Sequence, residues 1–202
     1  MNFQNLLNQV LDGVQKTAGD KNLLGKIGGG AAAVGLASML LGKKTRKNLL
    51  KTGSSAALGA LAYHAYQSWQ PSRNTEAPPA QNAFAPQGTQ SEDSGRLILK
   101  TMIAAAAADG SIDETERSLI EQESGSSEES QWLLAETRNP AAPAELAALA
   151  GGDTAAAAEA YLAARMVCGE LSRKEIVFLS QLADAFRLDP QLVEQLARQA
   201  GF

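Results

Sequence analysis

Ala108-Asp109-Gly110-Ser111-Ile112-Asp113-Glu114-Thr115-Glu116 and Val167-Cys168-Gly169-Glu170-Leu171-Ser172-Arg173-Lys174-Glu175 follow one scheme at an offset of 59 residues. Each has a glycine, an apolar residue two later, a capping residue next, and a glutamate three beyond it. Glycine tolerates the left-handed backbone that ends a helix, and a capping residue with glutamate three positions on opens the next one. Both stretches therefore predict a helix, a tight turn and a second helix. Two such hairpins packed together make a duplicated α architecture. In the second copy, Leu171 before the cap and Ile176 at the fourth helical position add a hydrophobic staple.

Working outward, helices are expected at about 96–108, 113–123, 128–138, 143–150, 154–167, 172–186 and 190–200. Seven short helices suit one compact bundle. Ile176, Leu179, Leu182, Ala183 and Phe186 share one face, followed by Leu192, Val193, Leu196 and Ala197. Asp189-Pro190 between them supplies a cap and a first-turn proline. Composition agrees: 45% of residues are hydrophobic but only 5% aromatic, so the apolar content is mostly Ala and Leu. A single Cys (Cys168) and a single His (His64) exclude an intrachain disulfide and the His/Cys clusters that hold zinc, haem or iron–sulfur centres.

The first copy is the more acidic. Asp109, Asp113 and Glu116 bracket its turn, and carboxylates so placed can hold a hard cation such as Ca²⁺ or Mg²⁺ if waters or a second hairpin complete the shell. Helix capping by Asp113 and Glu116, with Asp109 fixing the turn, accounts for the same residues without a ligand. A normal EF-hand is absent, because Ala105 and Ala107 occupy its first ligand positions. Cys168 reads as a small buried hydrophobe at a helix end.

The front of the chain is different in kind. Residues 1–70 carry eight Lys/Arg against two Asp, whereas residues 96–202 carry nine against seventeen acids. Phe3, Leu6, Leu7, Val10, Leu11 and Val14 form one stripe, so residues 1–24 are read as an amphipathic helix. Uncharged stretches at 27–42 and 52–70 flank Lys43, Lys44, Arg46, Lys47 and Lys51. Small residues four apart (Gly25, Gly29, Ala33, Ala37; Ser55, Gly59) and the terminal Tyr63, Tyr66 and Trp69 suggest a Gly/Ala-rich hydrophobic helical hairpin over 25–70, associated with a bilayer. By the positive-inside rule its basic loop is cytoplasmic, which puts the C-terminal domain in the periplasm. Residues 71–95 hold four of the seven prolines and no apolar period, the composition of a disordered linker. Neither Gly28–Ala33 nor Gly42–Thr45 makes a phosphate loop, for no strand precedes the first and the second lacks the upstream glycine. The acidic domain also makes nucleic acid an unsuitable partner.

Ala107-Ala108-Asp109-Gly110-Ser111-Ile112-Asp113-Glu114-Thr115-Glu116 resembles the signature of the TerB-like (tellurite-resistance) helical domain. Its position after a basic, Gly-rich front end and a linker is similar to the YebE-like inner-membrane proteins. The resemblance implies an all-helical, pseudo-duplicated domain over 96–202. It also implies a divalent-metal site onto which Asp109, Asp113 and Glu116 carry, and a bacterial inner-membrane protein linked to envelope stress. Cys168 and Ser172 stand where the second copy would need Asp, against a symmetric site.

The expectation is thus an all-α, membrane-tethered and non-enzymatic binding or sensing module with an unidentified protein partner and Ca²⁺ or Mg²⁺ as its cation. The alternatives are a structural protein that forms homo-oligomers through its hairpin and a metal-assisted hydrolase using the same three carboxylates. With no His in the domain and no nucleophile–base pair, no catalytic residue is named.

Overall fold

A computed structural model describes residues 2–17, 54–70, 79–84, 89–108, 110, 128–169 and 171–202. The elements are α1 (Phe3–Thr17), α2 (Ser55–Trp69), a 3₁₀ turn (Gln81–Phe84), α3 (Thr89–Ala107), α4 (Glu128–Arg138), α5 (Pro143–Ala150), α6 (Thr154–Cys168), α7 (Arg173–Ala185) and α8 (Pro190–Gln199). Every regular element among the described residues is helical, as the composition requires. Helices α4 to α8 fall within a residue or so of their expected bounds. The helix expected at 113–123 lies outside the described residues.

Helix α6 is the hub. Thirteen of its fifteen residues are buried, and α3 lies along it with α2, α5, α7 and α8 around the rest. Its alanine content explains the position: a helix with little side-chain bulk lets several neighbours approach it closely, where an amphipathic helix could face only one layer. Asp153 opens it, accepting hydrogen bonds from the N–H groups of Ala155 at 2.8 Å and Ala156 at 3.2 Å. At the other end the buried Arg165 donates to the Gly169 carbonyl at 2.9 Å and stacks 3.4 Å from the Phe202 ring centroid. A guanidinium there satisfies a carbonyl at the negative end of the helix. Its burial pulls its pKa below the ordinary guanidinium value, opposed by Cys168, Tyr161 and Glu175 nearby.

Both turn glycines take a positive φ, but Gly169 has ψ −117°, outside the left-handed helical region expected of a helix stop. Gly110 has φ 80° and Gly169 φ 55°. In the second copy the capping box is complete: the Ser172 N–H donates to Glu175 Oε2 at 2.6 Å, and the Glu175 N–H to Ser172 Oγ at 3.3 Å. A Cβ on Gly110 would lie 3.7 Å from Lys174 Nζ, so the two turns sit at one end of the molecule. Helices α3 and α6, the first helices of the two copies, pack on each other. Leu179 and Leu182 are buried as expected, but Leu171 and Ile176 are both exposed and the staple face adds little to the core.

The front of the chain requires a correction. Helix α1 is amphipathic as read, and its stripe (Leu6, Leu7, Val10, Leu11) is buried in the same core as α3 and α6. Its N-terminus is fixed by Glu92 of α3, whose Oε2 accepts from the Phe3 N–H at 2.6 Å. A carboxylate at that end meets the positive pole of the helix. The Phe3 ring stands edge-on to Trp132 of α4 with centroids 4.9 Å apart. Helix α2, within the second uncharged stretch, turns Leu58, Gly59, Ala62 and Ala65 inward and packs chiefly on α8 and α6. Its fifteen residues rise only about 22 Å, short of a hydrocarbon core of about 30 Å. No helix among the described residues is long and apolar enough to cross a membrane. That finding overturns the expected inner-membrane location, and the periplasmic placement falls with it. Residues 27–42 lie outside the described residues. Tyr63 and Tyr66 do not line an interface: their rings pack around Phe84 at 5.5 and 5.8 Å between centroids. Within the stretch read as a linker, Phe84 is 2% exposed and α3 already begins at Thr89.

Candidate functional site

Five elements meet around one carboxyl group. Glu159 lies near the N-terminal end of α6, in the run Thr154-Ala155-Ala156-Ala157-Ala158-Glu159-Ala160, and is 3% exposed. It lines a cavity of about 150 Å³ with Gln4 of α1, Ser55 and Ala56 of α2, Phe84 of the 3₁₀ turn, and Ser94 and Ile98 of α3. Ala56 is exposed and Gln4 and Ser55 half-buried, so the mouth opens at the N-terminal ends of α1 and α2, with Glu159 at the floor.

Glycine makes this convergence possible. A Cβ on Gly59 would fall 1.8 Å from the Phe84 carbonyl oxygen and 3.5 Å from Glu159 Oε1. Any side chain there would displace the turn that walls the cavity. On the other wall, a Cβ on Gly95 would come 3.0 Å from the Gln4 amide nitrogen, so α1 and α3 also touch through backbone.

Most polar groups of the wall are already engaged. Gln4 Nε2 donates to Ser55 Oγ at 2.7 Å, and Ser55 Oγ donates to Asn8 Oδ1 at 2.8 Å. The Ser94 hydroxyl bonds the Glu159 carboxyl from α3. Glu159 Oε1 is completely covered and has no hydrogen-bond partner among the described residues. A buried polar atom in that state costs on the order of 1–3 kcal/mol, more if charged. The carboxyl responds by holding its proton: burial, reinforced by the negative charge of Asp153 and opposed by the Ser94 bond, pushes its pKa from 4.5 up to about 8. A more open groove of about 680 Å³ between α3, α4 and α5 is a weaker candidate. Its Lys100 and Glu136 are already paired at 2.5 Å.

The residues expected to hold a cation, Asp109, Asp113 and Glu116, lie outside the described residues. Among the described residues, no group of three His, Cys, Asp or Glu side chains is placed to hold a metal ion. Cys168 is buried, as its position at a helix end suggested. Sequence reasoning passed over Glu159, although a signal was present. It is a lone carboxylate inside an alanine run, and the positions three and four away on either side are Ala155, Ala156, Leu162 and Ala163. With no basic neighbour on its own helix face, it had to be either solvated or buried for a reason.

No curated protein and no solved structure matches the chain. A family described as a protein of unknown function (DUF533) matches it over residues 26–200, from the uncharged stretches through the last helix. The match spans α2, the 3₁₀ turn and α3 to α8, which include every wall of the Glu159 cavity except Gln4, and the chain belongs to that DUF533 family.

Proposed function

We propose that this protein is a non-enzymatic binding module whose receptor is the Glu159 cavity. One observation carries the proposal: Glu159 is buried, its Oε1 has no hydrogen-bond partner among the described residues, and the residue lines a cavity of about 150 Å³. A carboxyl is buried in the N-terminal half of an alanine-rich helix at a cost in stability. Binding is a function that would offset that cost, since a ligand on the native state stabilises it by mass action. The surrounding hydroxyls and carboxamide supply orientation but no nucleophile paired with a base, and the module performs no reaction of its own.

The test is ligand-observed NMR with a library of small polar fragments on the full chain. Fragments should bind the wild type and lose their hits in Ala56→Leu, which narrows the mouth from an exposed position. A library without such hits refutes the proposal.

Within the DUF533 family, we place the chain with the YebE-like proteins and read its helical portion as TerB-like. Support comes from the 107–116 sequence and from the all-helical fold with glycine turns at 110 and 169. The divalent-cation role of Asp109, Asp113 and Glu116 is carried by that sequence alone. It is tested by whether millimolar Ca²⁺ or Mg²⁺ raises the melting temperature and whether Asp109→Ala removes the rise. Unchanged melting leaves the three residues as helix caps and turn formers.

A further inference from the structure

The walls around Glu159 are not held equally. Helix α1 is tied down by the bond from its Phe3 N–H to Glu92 and by the chain of hydrogen bonds from Gln4 through Ser55 to Asn8, while α2 and α3 pack along α8 and α6. The 3₁₀ turn Gln81–Phe84 lacks such ties. The Ala83 N–H bonds the Ala80 carbonyl at 2.8 Å within the segment, and among the described residues no hydrogen bond joins the turn to α2, α3 or α6. What seats it is the Phe84 ring against Tyr63 and Tyr66 and the approach of the Phe84 carbonyl to Gly59.

We infer that loss of the Glu159 proton releases this turn: the Phe84 carbonyl lifts off Gly59, water reaches Glu159 Oε1, and the Phe84 ring leaves Tyr63 and Tyr66 uncovered. The device needs no ligand and stands apart from the receptor reading.

The argument begins with a sealed oxygen. Glu159 Oε1 is completely covered and has no hydrogen-bond partner among the described residues. It also approaches the same point on α2 as the Phe84 carbonyl, since a Cβ on Gly59 would lie 3.5 Å from Oε1 and 1.8 Å from that carbonyl oxygen. A neutral carboxyl can occupy such a place at modest cost. A carboxylate there has no water on Oε1 and lies near the negative end of a carbonyl dipole, a position far more costly for a charge. The facing groups do little to offset it. Among the described residues they are Gln4 of α1, Ser55 and Ala56 of α2, Phe84 of the turn, and Ser94 and Ile98 of α3, none of them cationic. The charged residues of α3 nearest in sequence are engaged elsewhere, Glu92 by the Phe3 N–H and Lys100 by Glu136, and His64 of α2 is exposed. The Ser94 hydroxyl supplies one donor to the carboxyl, and Asp153 at the N-cap of α6 adds repulsion. Hydration is the remaining relief, and it requires a wall to move. The turn is the wall with the fewest ties, and Phe84 also lines the cavity of about 150 Å³ from which water would enter.

The sign and size follow from linkage. With the turn seated the carboxyl keeps its proton to about pH 8, whereas in water it ionises near 4.5. The seated form therefore binds the proton more tightly, and opening is favoured as pH rises through that window and no further above it. The opening equilibrium should grow about seventyfold from pH 5 to 7 and about another tenfold from pH 7 to 9, then level off.

Amide hydrogen exchange of the full chain, followed by NMR at pH 5 to 8 and corrected for intrinsic rates, reads this opening at the Ala83 N–H. The expected protection falls about seventyfold from pH 5 to 7, in exchange that low urea does not accelerate and that is faster than in α6, the mark of a local opening. Glu159→Gln, checked for folding by circular dichroism, should make the protection of Ala83 independent of pH. Ser94→Ala keeps the carboxyl and removes the donor that favours its charged form, so protection should continue to fall beyond pH 8, where the wild type levels off. A wild-type profile as flat as that of Glu159→Gln would overturn the inference. So would Ala83 exchange with the urea dependence of α6, which would mean that the turn opens only with the whole fold. Carboxyl ¹³C NMR showing Glu159 ionised at pH 6 while Ala83 stays protected would overturn it as well.

Discussion

Replacing Glu159 by Gln keeps the shape of the buried side chain and deletes its proton equilibrium. In the unfolded chain this carboxyl ionises near 4.5, whereas the fold holds its proton to about 8. Because the native state binds the proton more tightly, the contribution of this group to stability is fully present below 4.5. It is lost as pH rises through 8 and changes no further above that. Each pH unit inside the window is worth about 1.4 kcal/mol, so the loss reaches about 3 kcal/mol at pH 7 and about 5 kcal/mol above pH 8. That is comparable with the whole stability of many domains. Among the described residues, the cavity walls on α1, α2, the 3₁₀ turn and α3 present Gln4, Ser55, Phe84, Ser94 and Ile98, and the charge that acts on the carboxyl is Asp153 at the N-cap of α6. Urea unfolding of wild type and Glu159→Gln, followed by far-ultraviolet circular dichroism from pH 4 to 9, reads the difference directly, since other titrations cancel between the two proteins. The variant should match the wild type near pH 4, gain on it by about 1.4 kcal/mol per unit up to pH 8, and run parallel beyond. Parallel curves over the whole range would refute the buried, proton-holding carboxyl.

Gly59→Ala should lower stability by about 1–3 kcal/mol despite the better helix propensity of alanine, because its methyl group would meet the Phe84 carbonyl; an unchanged melting temperature would show that the turn is not seated there. Phe84→Ala should cost about 3–5 kcal/mol and reduce the near-ultraviolet signal of Tyr63 and Tyr66, both of which pack on its ring. A loss under 1 kcal/mol in thermal unfolding would contradict its burial. Ser172→Ala should cost about 1 kcal/mol by removing the cap on Glu175 N–H, with Ser172→Asp restoring most of it; a silent Ser172→Ala would dispose of the capping role.

Much of the helical plan was legible because its signals are local. Glycine at a helix end, Ser or Asp at a cap and proline at the first turn act through the backbone within a few residues; α5 to α8 begin where such residues stand, and Gly151, Gly169 and Gly201 follow α5, α6 and α8, whereas α7 ends without one, on Arg187 at φ 55°. Ala142 shows the limit of the pattern: it has no side-chain oxygen, yet Glu145 still reaches back to its N–H at 2.8 Å and serves half of the box. What the local pattern does not specify is which distant surface a helix meets. Ile176 lies on the apolar face of α7 with Leu179 and Leu182, yet it is 50% exposed while both leucines are buried. The lone carboxylate of Glu159 stands out in the sequence, but the four other elements that enclose it do not.

The membrane expectation failed for a related physical reason. Small residues four apart allow close backbone approach, and close approach is useful wherever helices are crowded, in lipid or in a protein core. Gly59 illustrates the ambiguity. Its spacing suits a bilayer hairpin, but what approaches it is the carbonyl of Phe84, and the aromatic cluster nearby closes over that turn. The polar residues of α2 separate the two environments better than its glycines do. His64, Gln67 and Ser68 are exposed on one side, while Leu58, Ala62 and Ala65 are buried on the other. That arrangement fits a helix at the edge of a protein core, and a lipid-facing helix would reverse it by turning apolar groups outward. Helix α6 carries the same argument to its end: buried nearly all round, alanine-rich and bearing one carboxyl, it resembles a membrane segment in composition. What surrounds it is five other helices and a turn, and its single acid faces a cavity that those neighbours build.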